Sequence, residues 1–141
     1  MENGLIKDDQ ITASSQHDEE SVGPKRARIR TDIEGGAFCP KEMINRDQNY
    51  EFLSIDLKKV FVISAIELQG RYANGSGREF TPYFKIEYLR KNSSWIRYKS
   101  RSKKTIFVGN TDTFTPVYIS LDPPIVASKV RIVPWSNSSR K

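Results

Sequence analysis

The sequence has one cysteine, Cys39, and one histidine, His17, in 141 residues. A lone cysteine cannot form an internal disulfide, so Cys39 is a buried thiol, a reactive thiol or half of a bridge whose partner is absent. One histidine and one cysteine also fail to match any zinc-binding pattern. We therefore expect neither a metal site nor a cofactor.

The same scarcity argues against catalysis. A serine or cysteine nucleophile needs an activating base, and the lone histidine lies in an acidic segment. The adjacent carboxylates at 18–20 are typical of a solvated charge cluster. Gly75–Gly77 lacks the strand–loop–helix context of a phosphate-binding loop. We expect no catalytic residues and no enzyme activity.

No apolar run approaches the roughly 20 residues of a membrane-spanning helix. The longest candidate, Val60–Ile66, is far too short. The N-terminus has neither a basic segment nor an apolar core, so no signal peptide is visible. Taken alone, these features favour a cytosolic protein or a fragment. The length and the 37% hydrophobic content indicate a single globular domain.

The net charge of +6 favours anionic partners in a general way. Basic residues gather at 25–30 and 99–104, and solvated loops are the simplest explanation for both clusters. A heparan-like polysaccharide or an anionic lipid is the alternative. Nucleic acid is not expected, because the basic run after Pro24 is short, and Trp95 and Tyr98 are better explained as strand and core residues.

Hydrophobic periodicity predicts β-strands along most of the chain. Leu53, Ile55 and Leu57 alternate with less apolar residues, whereas 60–68 is almost continuously apolar, which predicts a strand covered on both faces. Further strands are predicted at 84–89, 95–98, 106–108, 117–121 and 126–134, and Pro123-Pro124 is expected to end the strand before it. About seven short strands without a two-turn helix predict an all-β, antiparallel sandwich or barrel.

A glycine-rich loop at 69–80 separates two of these predicted strands. The consecutive turn-forming residues at 74–77 make a helix or strand implausible there. Arg71 and Glu79 place opposite charges at the two ends of the loop. A charged, glycine-rich loop on a rigid β framework is a common design for a binding site.

N-x-S/T sequons begin at Asn74, Asn92 and Asn137, and all of them fall in predicted turns. An oligosaccharide can be accommodated at such positions, so these residues are glycosylation candidates. The sequons support an extracellular setting only modestly, since such tripeptides are frequent by chance.

Many short blocks in a fixed order resemble the discoidin (coagulation-factor C-type) domain, in particular the collagen-binding discoidin domain of the discoidin domain receptor tyrosine kinases. The blocks are ITASS (11–15), GAFCP (36–40), FLSIDL (52–57), QGR (69–71), REF (78–80), YFKIEY (83–88), SW (94–95), GN (109–110), LDPPIVA (121–127) and VRIVP (130–134). They cover essentially the whole chain. The resemblance implies a single discoidin domain over 1–141, with an eight-stranded, jelly-roll-like β-barrel or sandwich.

The resemblance further implies an extracellular adhesion or receptor module whose loops at one end form a trench for triple-helical collagen. An arginine and a glutamate of the family's trench correspond to Arg71 and Glu79. His17 stands where the family has a tryptophan, and Ser21 stands where it has a threonine. Glu34 is a further candidate, because it lies beside Gly35, which replaces an aspartate.

The physical chemistry of Arg71 and Glu79 agrees with this implied role. Collagen is a rigid, polyproline-II-like rod with solvated carbonyls. An arginine held by a carboxylate can present ordered hydrogen-bond donors to such a rod. The alternative is that the pair only closes its own loop. A glycosaminoglycan or an anionic phospholipid bound by the basic loops is the rival ligand, although Tyr72 is the only apolar tip expected in loop 69–80.

The resemblance also implies a disulfide between Cys39 and a cysteine just beyond Lys141. The chain would then be a domain truncated at both ends, without its closing C-terminal strand. Its implied location is the extracellular side of the plasma membrane, as part of a single-pass receptor, or a secreted protein. Any kinase would lie outside this chain, and whether the parent protein is a dimer stays open.

Overall fold

The computed structural model describes residues 1–45 and 50–138, and strands form most of its regular structure. Within these residues, one antiparallel sheet contains β1 (Ile11–Ala13), β2 (Leu53–Leu68), β3 (Tyr83–Leu89), β4 (Ile96–Arg97), β5 (Phe107–Val108) and β6 (Val117–Trp135). The strand order is β1-β2-β6-β3-β4, and β5 pairs with β3. The helical elements are α1 (Glu19–Val22) and 3-10 turns at Asp8–Gln10, Pro24–Arg26 and Ala73–Gly75. The predicted all-β, antiparallel architecture is confirmed.

The two long strands, β2 and β6, curl the sheet into a half-barrel. Residues 53–56 pair with 129–132, and residues 61–68 pair with 117–127. The register shifts between these stretches, from Asp56 to Phe61, and again within the second one, between Ile63 and Ala65. Bulges bend a strand and increase its twist, so the two halves of each strand can face a common core.

Predictions about both long strands were wrong in detail. Residues 53–57 and 60–68 belong to one bent strand. This strand is not covered on both faces, because Val60, Phe61 and Val62 are 56%, 51% and 66% exposed. A run of apolar residues does not reveal whether a second layer covers it. Pro123-Pro124 does not end β6. The strand continues through a cis peptide before Pro123, although its pairing with β2 is interrupted at 121–124.

The core lies inside the curl of the sheet, around the beginning of β3. Phe84 and Ile86 are completely buried. The ring of Phe107 lies between those of Phe84 and Tyr98, with centroid separations of 5.8 and 5.7 Å. The Tyr98 hydroxyl donates a hydrogen bond to the Pro123 carbonyl at 2.7 Å, which satisfies its polar group inside the core.

Buried Asn110 joins the strand ends that carry the glycine-rich loop. Its backbone N–H donates to the Thr81 carbonyl (2.7 Å), just before β3, and its Nδ2 donates to the Leu68 carbonyl (3.0 Å), at the end of β2. The end of β6 is adjacent, because Trp135 pairs with Tyr83. The loop therefore projects from a rigid part of the sheet. No helix in the described part of the chain is long and apolar enough to cross a membrane.

Candidate functional site

The loop between β2 and β3 is compact and closed by its own backbone. The Arg71 N–H donates to the Glu79 carbonyl at 2.8 Å, and the N–H groups of Gly75 and Gly77 both donate to the Tyr72 carbonyl at 3.0 Å. These bonds place Arg71 and Glu79 side by side, although they stand at opposite ends of the loop in the sequence.

Two glycines allow backbone contacts that no other residue permits. A Cβ on Gly77 would lie 1.9 Å from the Arg71 carbonyl oxygen, and one on Gly35 would lie 2.3 Å from the Ser21 carbonyl oxygen. Neither neighbouring atom belongs to a flexible side chain. The close approach of Gly35 brings the loop at 32–36 against the base of the site.

The guanidinium of Arg71 is held by acceptors on two separate segments. Its Nη1 donates to Glu79 Oε2 and its Nε donates to the Gly35 carbonyl, both at 2.8 Å. The side chain of Arg71 is 24% exposed and that of Glu79 is 37% exposed, so the pair is partly desolvated but still reaches the surface. A guanidinium has five N–H donors, which leaves donors of Arg71 for a ligand.

The environment of Glu79 favours its ionised form. Burial raises the pKa of the carboxyl, but hydrogen bonds from the Arg71 guanidinium and the Arg78 N–H outweigh that effect, so the pKa lies below its ordinary value. The Arg78 N–H donates to Glu79 Oε2 at 3.1 Å. A permanent carboxylate is what keeps the arginine fork in a fixed orientation.

This lowered pKa predicts how Glu79 contributes to stability at different pH. A group with a depressed folded-state pKa stabilises the fold above its unfolded-state pKa, about 4.3 for glutamate, and loses that contribution as the pH falls through the folded-state value. We expect Glu79→Gln to lower the free energy of unfolding at neutral pH and to differ little from the parent in acid. Urea unfolding of both proteins between about pH 7 and pH 3 measures this. A difference that stays constant into acid would contradict the assigned role of the carboxylate.

The segments on the far side of Arg71 are linked to it through Gly35. The Gly35 N–H donates to the Ser21 carbonyl (2.8 Å), and the Cys39 N–H donates to the Val22 carbonyl (2.9 Å). Asp18 in turn accepts bonds from the Ser21 N–H and hydroxyl, both at 2.8 Å, and these bonds hold the pKa of Asp18 below its usual range. The loop containing α1 is thereby fixed relative to the guanidinium.

The structure brings several of the predicted site residues into this region. His17 is exposed, and its N–H donates to the Cys39 carbonyl at 3.0 Å. Ser21 is half-buried beside Gly35, and Glu34 is exposed with a φ of 57°. Cys39 is buried near the same loops. The predicted disulfide of Cys39 stays a prediction.

The three sequon asparagines lie in different places. Asn74 is exposed in the glycine-rich loop, and its N–H donates to Asp32 Oδ2 at 2.7 Å. Asn137 follows the end of β6, close to the beginning of β3. Asn92 lies in the turn after β3 and therefore at the opposite end of that strand from the site. Their glycosylation stays a prediction.

Sequence reasoning missed Gln69, which connects three loops of the site. Its Oε1 accepts from the Arg30 N–H and its Nε2 donates to the Phe114 carbonyl, both at 2.7 Å. These partners are 39 and 45 residues away in sequence, so no local pattern reveals them. Asp32, which holds the Asn74 backbone, was missed for the same reason.

The site contains cavities that share Gln69 and Gly70 in their walls. A cavity of about 70 Å³ lies beside Arg71 and Glu79. A second, of about 120 Å³, reaches towards the strand ends. A third, of about 270 Å³, opens between the loops that carry Tyr72 and Phe114. The ion pair thus borders a group of neighbouring depressions rather than a flat surface.

Comparison with known proteins agrees with this architecture. The profile of the F5/8 type C domain matches residues 10–141. The chain is 53% identical over 140 residues to Discoidin domain-containing receptor A of Caenorhabditis elegans, and 40% identical over 141 residues to Discoidin domain-containing receptor tyrosine kinase B of the same organism. Each alignment covers 99% of this chain, and the chain spans 18% of each relative.

A solved structure shows the same fold at low sequence identity. Wild-type discoidin II from Dictyostelium discoideum superposes with a TM-score of 0.75 at 20% identity, over 97% of this chain and 52% of that chain. At this identity the likeness concerns the fold, the half-barrel with its loops at one end.

Proposed function

The chain belongs to the F5/8 type C, or discoidin, domain family, and from that premise we propose that it binds triple-helical collagen through Arg71 and Glu79. Domains of this family are non-catalytic ligand-binding modules, and the homologous domains belong to receptors. The proposal places the domain on the extracellular side of the plasma membrane, or in a secreted protein, and assigns signalling by any kinase to a part of the protein outside this chain.

The observation that carries the proposal is the fixed, half-buried guanidinium of Arg71. It is oriented by Glu79 and by the Gly35 carbonyl, and it retains donors that neither acceptor uses. A collagen triple helix offers solvated backbone carbonyls along a rigid rod. Donors whose orientation is set before binding lose little conformational freedom on binding, which favours recognition of such a rod.

The surrounding loops support the same assignment. The backbone bonds from Gly35 to Ser21 and from His17 to Cys39 hold the segments on one side of Arg71, and Gln69 holds those on the other. His17, Ser21 and Glu34 are the flanking residues that we assign to ligand contact. The imidazole of His17 makes that end of the trench less apolar than the tryptophan of the family pattern would.

Binding to native and heat-denatured collagen tests the proposal. A site shaped for a rod should bind the triple helix at least about tenfold more tightly than the unfolded chains, because the latter must be ordered on binding. A solid-phase assay at several salt concentrations, with both forms of collagen, measures this preference. Equal binding to the two forms would exclude recognition of the triple helix.

A second candidate ligand is a sulfated polysaccharide, bound by the basic loop at 99–104. Arg101 pairs with Asp122 at 2.9 Å, whereas no ion pair among the described residues engages the exposed Lys99, Lys103 or Lys104. Binding by such solvated charges collapses as salt rises from low to physiological concentration, since the Debye length falls to about 8 Å. The salt series therefore separates this ligand from collagen.

A further inference from the structure

Two large aromatic side chains are held in solvent beside the ion pair. Tyr72 is 45% exposed and Phe114 is 58% exposed, so both rings forgo much of the gain that burial provides. Their loops are well tied: the Tyr72 carbonyl accepts two backbone bonds, and Asp112 Oδ1 accepts from the N–H groups of Phe114 (3.0 Å) and Thr115 (2.6 Å). The exposure of the rings is therefore a property of ordered loops.

The two rings line one groove. Its volume is about 270 Å³, and Arg30, Asp32, Gln69 and Gly70 also line it. This volume is below the roughly 300–1,000 Å³ of pockets that enclose whole small molecules. It suits a single large side chain that enters from an open side.

The groove lies next to the proposed collagen site. Gln69 and Gly70 are in its wall and also in the wall of the cavity beside Arg71 and Glu79. Gln69 Nε2 donates to the Phe114 carbonyl, and this bond links the loop of Phe114 to the segment that leads into Arg71. One extended ligand can thus contact the guanidinium and fill the groove at once.

We propose that this groove is a second subsite, which receives one large apolar side chain of the collagen bound at Arg71 and Glu79. The inference rests on the proposed function and adds a determinant of which collagen sequence is preferred. Apolar contact with Tyr72 and Phe114 supplies affinity for a phenylalanine or leucine, whereas an alanine at the same position leaves the groove unfilled.

The charges around the groove select against anionic occupants. Arg30 is already paired with Glu2 (3.1 Å) and Glu67 (2.7 Å). Asp32 lines the groove, and Asp112 lies on the loop of Phe114. Like charges disfavour a phosphatidylserine surface or a sulfated sugar at this position, so a neutral apolar side chain is the favoured occupant.

A pair of triple-helical peptides tests the subsite. Both share one collagen-like host sequence, and one guest position carries phenylalanine in the first peptide and alanine in the second. We expect the chain to bind the phenylalanine peptide about tenfold more tightly. Phe114→Ala and Tyr72→Ala should abolish this preference, so that the two peptides bind with about equal affinity, and Phe114→Leu should restore part of it. Thermal unfolding confirms that each variant is folded.

Tyr118→Ala is the matched control, because Tyr118 is an aromatic residue that is 66% exposed and does not line the groove. It should keep the preference of the parent.

If Phe114→Ala and Tyr72→Ala also keep the preference while Arg71→Ala weakens the binding of both peptides, the subsite is wrong and the collagen proposal stands. If neither peptide binds in an Arg71-dependent manner, the collagen proposal itself fails. Phe114-dependent binding to vesicles of equal parts phosphatidylserine and phosphatidylcholine would identify a lipid contact and overturn the subsite.

Discussion

Arg71→Ala should lower the affinity for triple-helical collagen about 100-fold. Truncating an arginine that anchors an interface typically costs about 2–4 kcal/mol of affinity, which includes the reorganisation of the groups that it contacted. Here the substitution deletes the bonds to Glu79 and to the Gly35 carbonyl together with the donors offered to the ligand. Surface plasmon resonance with an immobilised triple-helical peptide measures the change.

Arg71→Lys separates charge from geometry. An ammonium group keeps the positive charge but lacks the planar fork that contacts Glu79 and Gly35 at the same time. We expect a loss of about tenfold, intermediate between the parent and alanine. Full affinity in the lysine variant would show that charge alone is recognised.

Arg101→Ala provides the matched control. Arg101 also forms a forked pair, with Nε at 3.0 Å and Nη2 at 2.9 Å from the carboxylate of Asp122, but its side chain is 75% exposed and lies in a different loop. Exposed pairs of this kind contribute about 0–1 kcal/mol. Collagen affinity should stay within about twofold of the parent. An equal loss in both variants would point to a general effect of positive charge.

Phe84→Ala should produce the largest loss of stability, about 3–5 kcal/mol. Phe84 is 0% exposed and packs against Phe107 with 5.8 Å between ring centroids. It pairs with Pro134 of β6, beside the strand ends that carry the glycine-rich loop. Domains of this size are stable by only about 5–15 kcal/mol, so a large share of the total is removed. Urea unfolding at neutral pH measures the change.

Phe114→Ala is the control for this measurement, since the same ring is removed from a position that is 58% exposed. Surface substitutions usually change the free energy of unfolding by less than about 0.5 kcal/mol. A loss below about 1 kcal/mol for Phe84→Ala, or similar losses for both variants, would contradict the assignment of the core around β3.

The sequence predicts the strands and the loop of the site because both depend on local patterns. Alternation at 53–57 and 84–88 marks strands with one apolar face, and both stretches are strands in the structure. The turn-forming residues at 74–77 identify the loop, and a short closed loop brings its ends together. The juxtaposition of Arg71 and Glu79, 2.8 Å apart, follows from that closure.

The features that the sequence did not reveal depend on contacts between distant segments. Residues 53–68 form one strand because they pair with both halves of β6. In this arrangement the side chains of Val60–Val62 are exposed to solvent. The acceptor that Gly35 offers to Arg71 is its backbone carbonyl. Gly35 can hold that carbonyl in place only because it has no Cβ and can therefore pack closely against Ser21. Side-chain identity alone carries no information about such an acceptor.

Backbone amide shifts of the isotope-labelled chain, recorded with and without a triple-helical collagen peptide, test the central claim most directly. The account predicts that the perturbed amides cluster at Gly35, Arg71 and Glu79 and on the loops of Ser21 and Tyr72. Shifts confined to the basic loop at 99–104, with Arg71 and Glu79 unchanged, would contradict it.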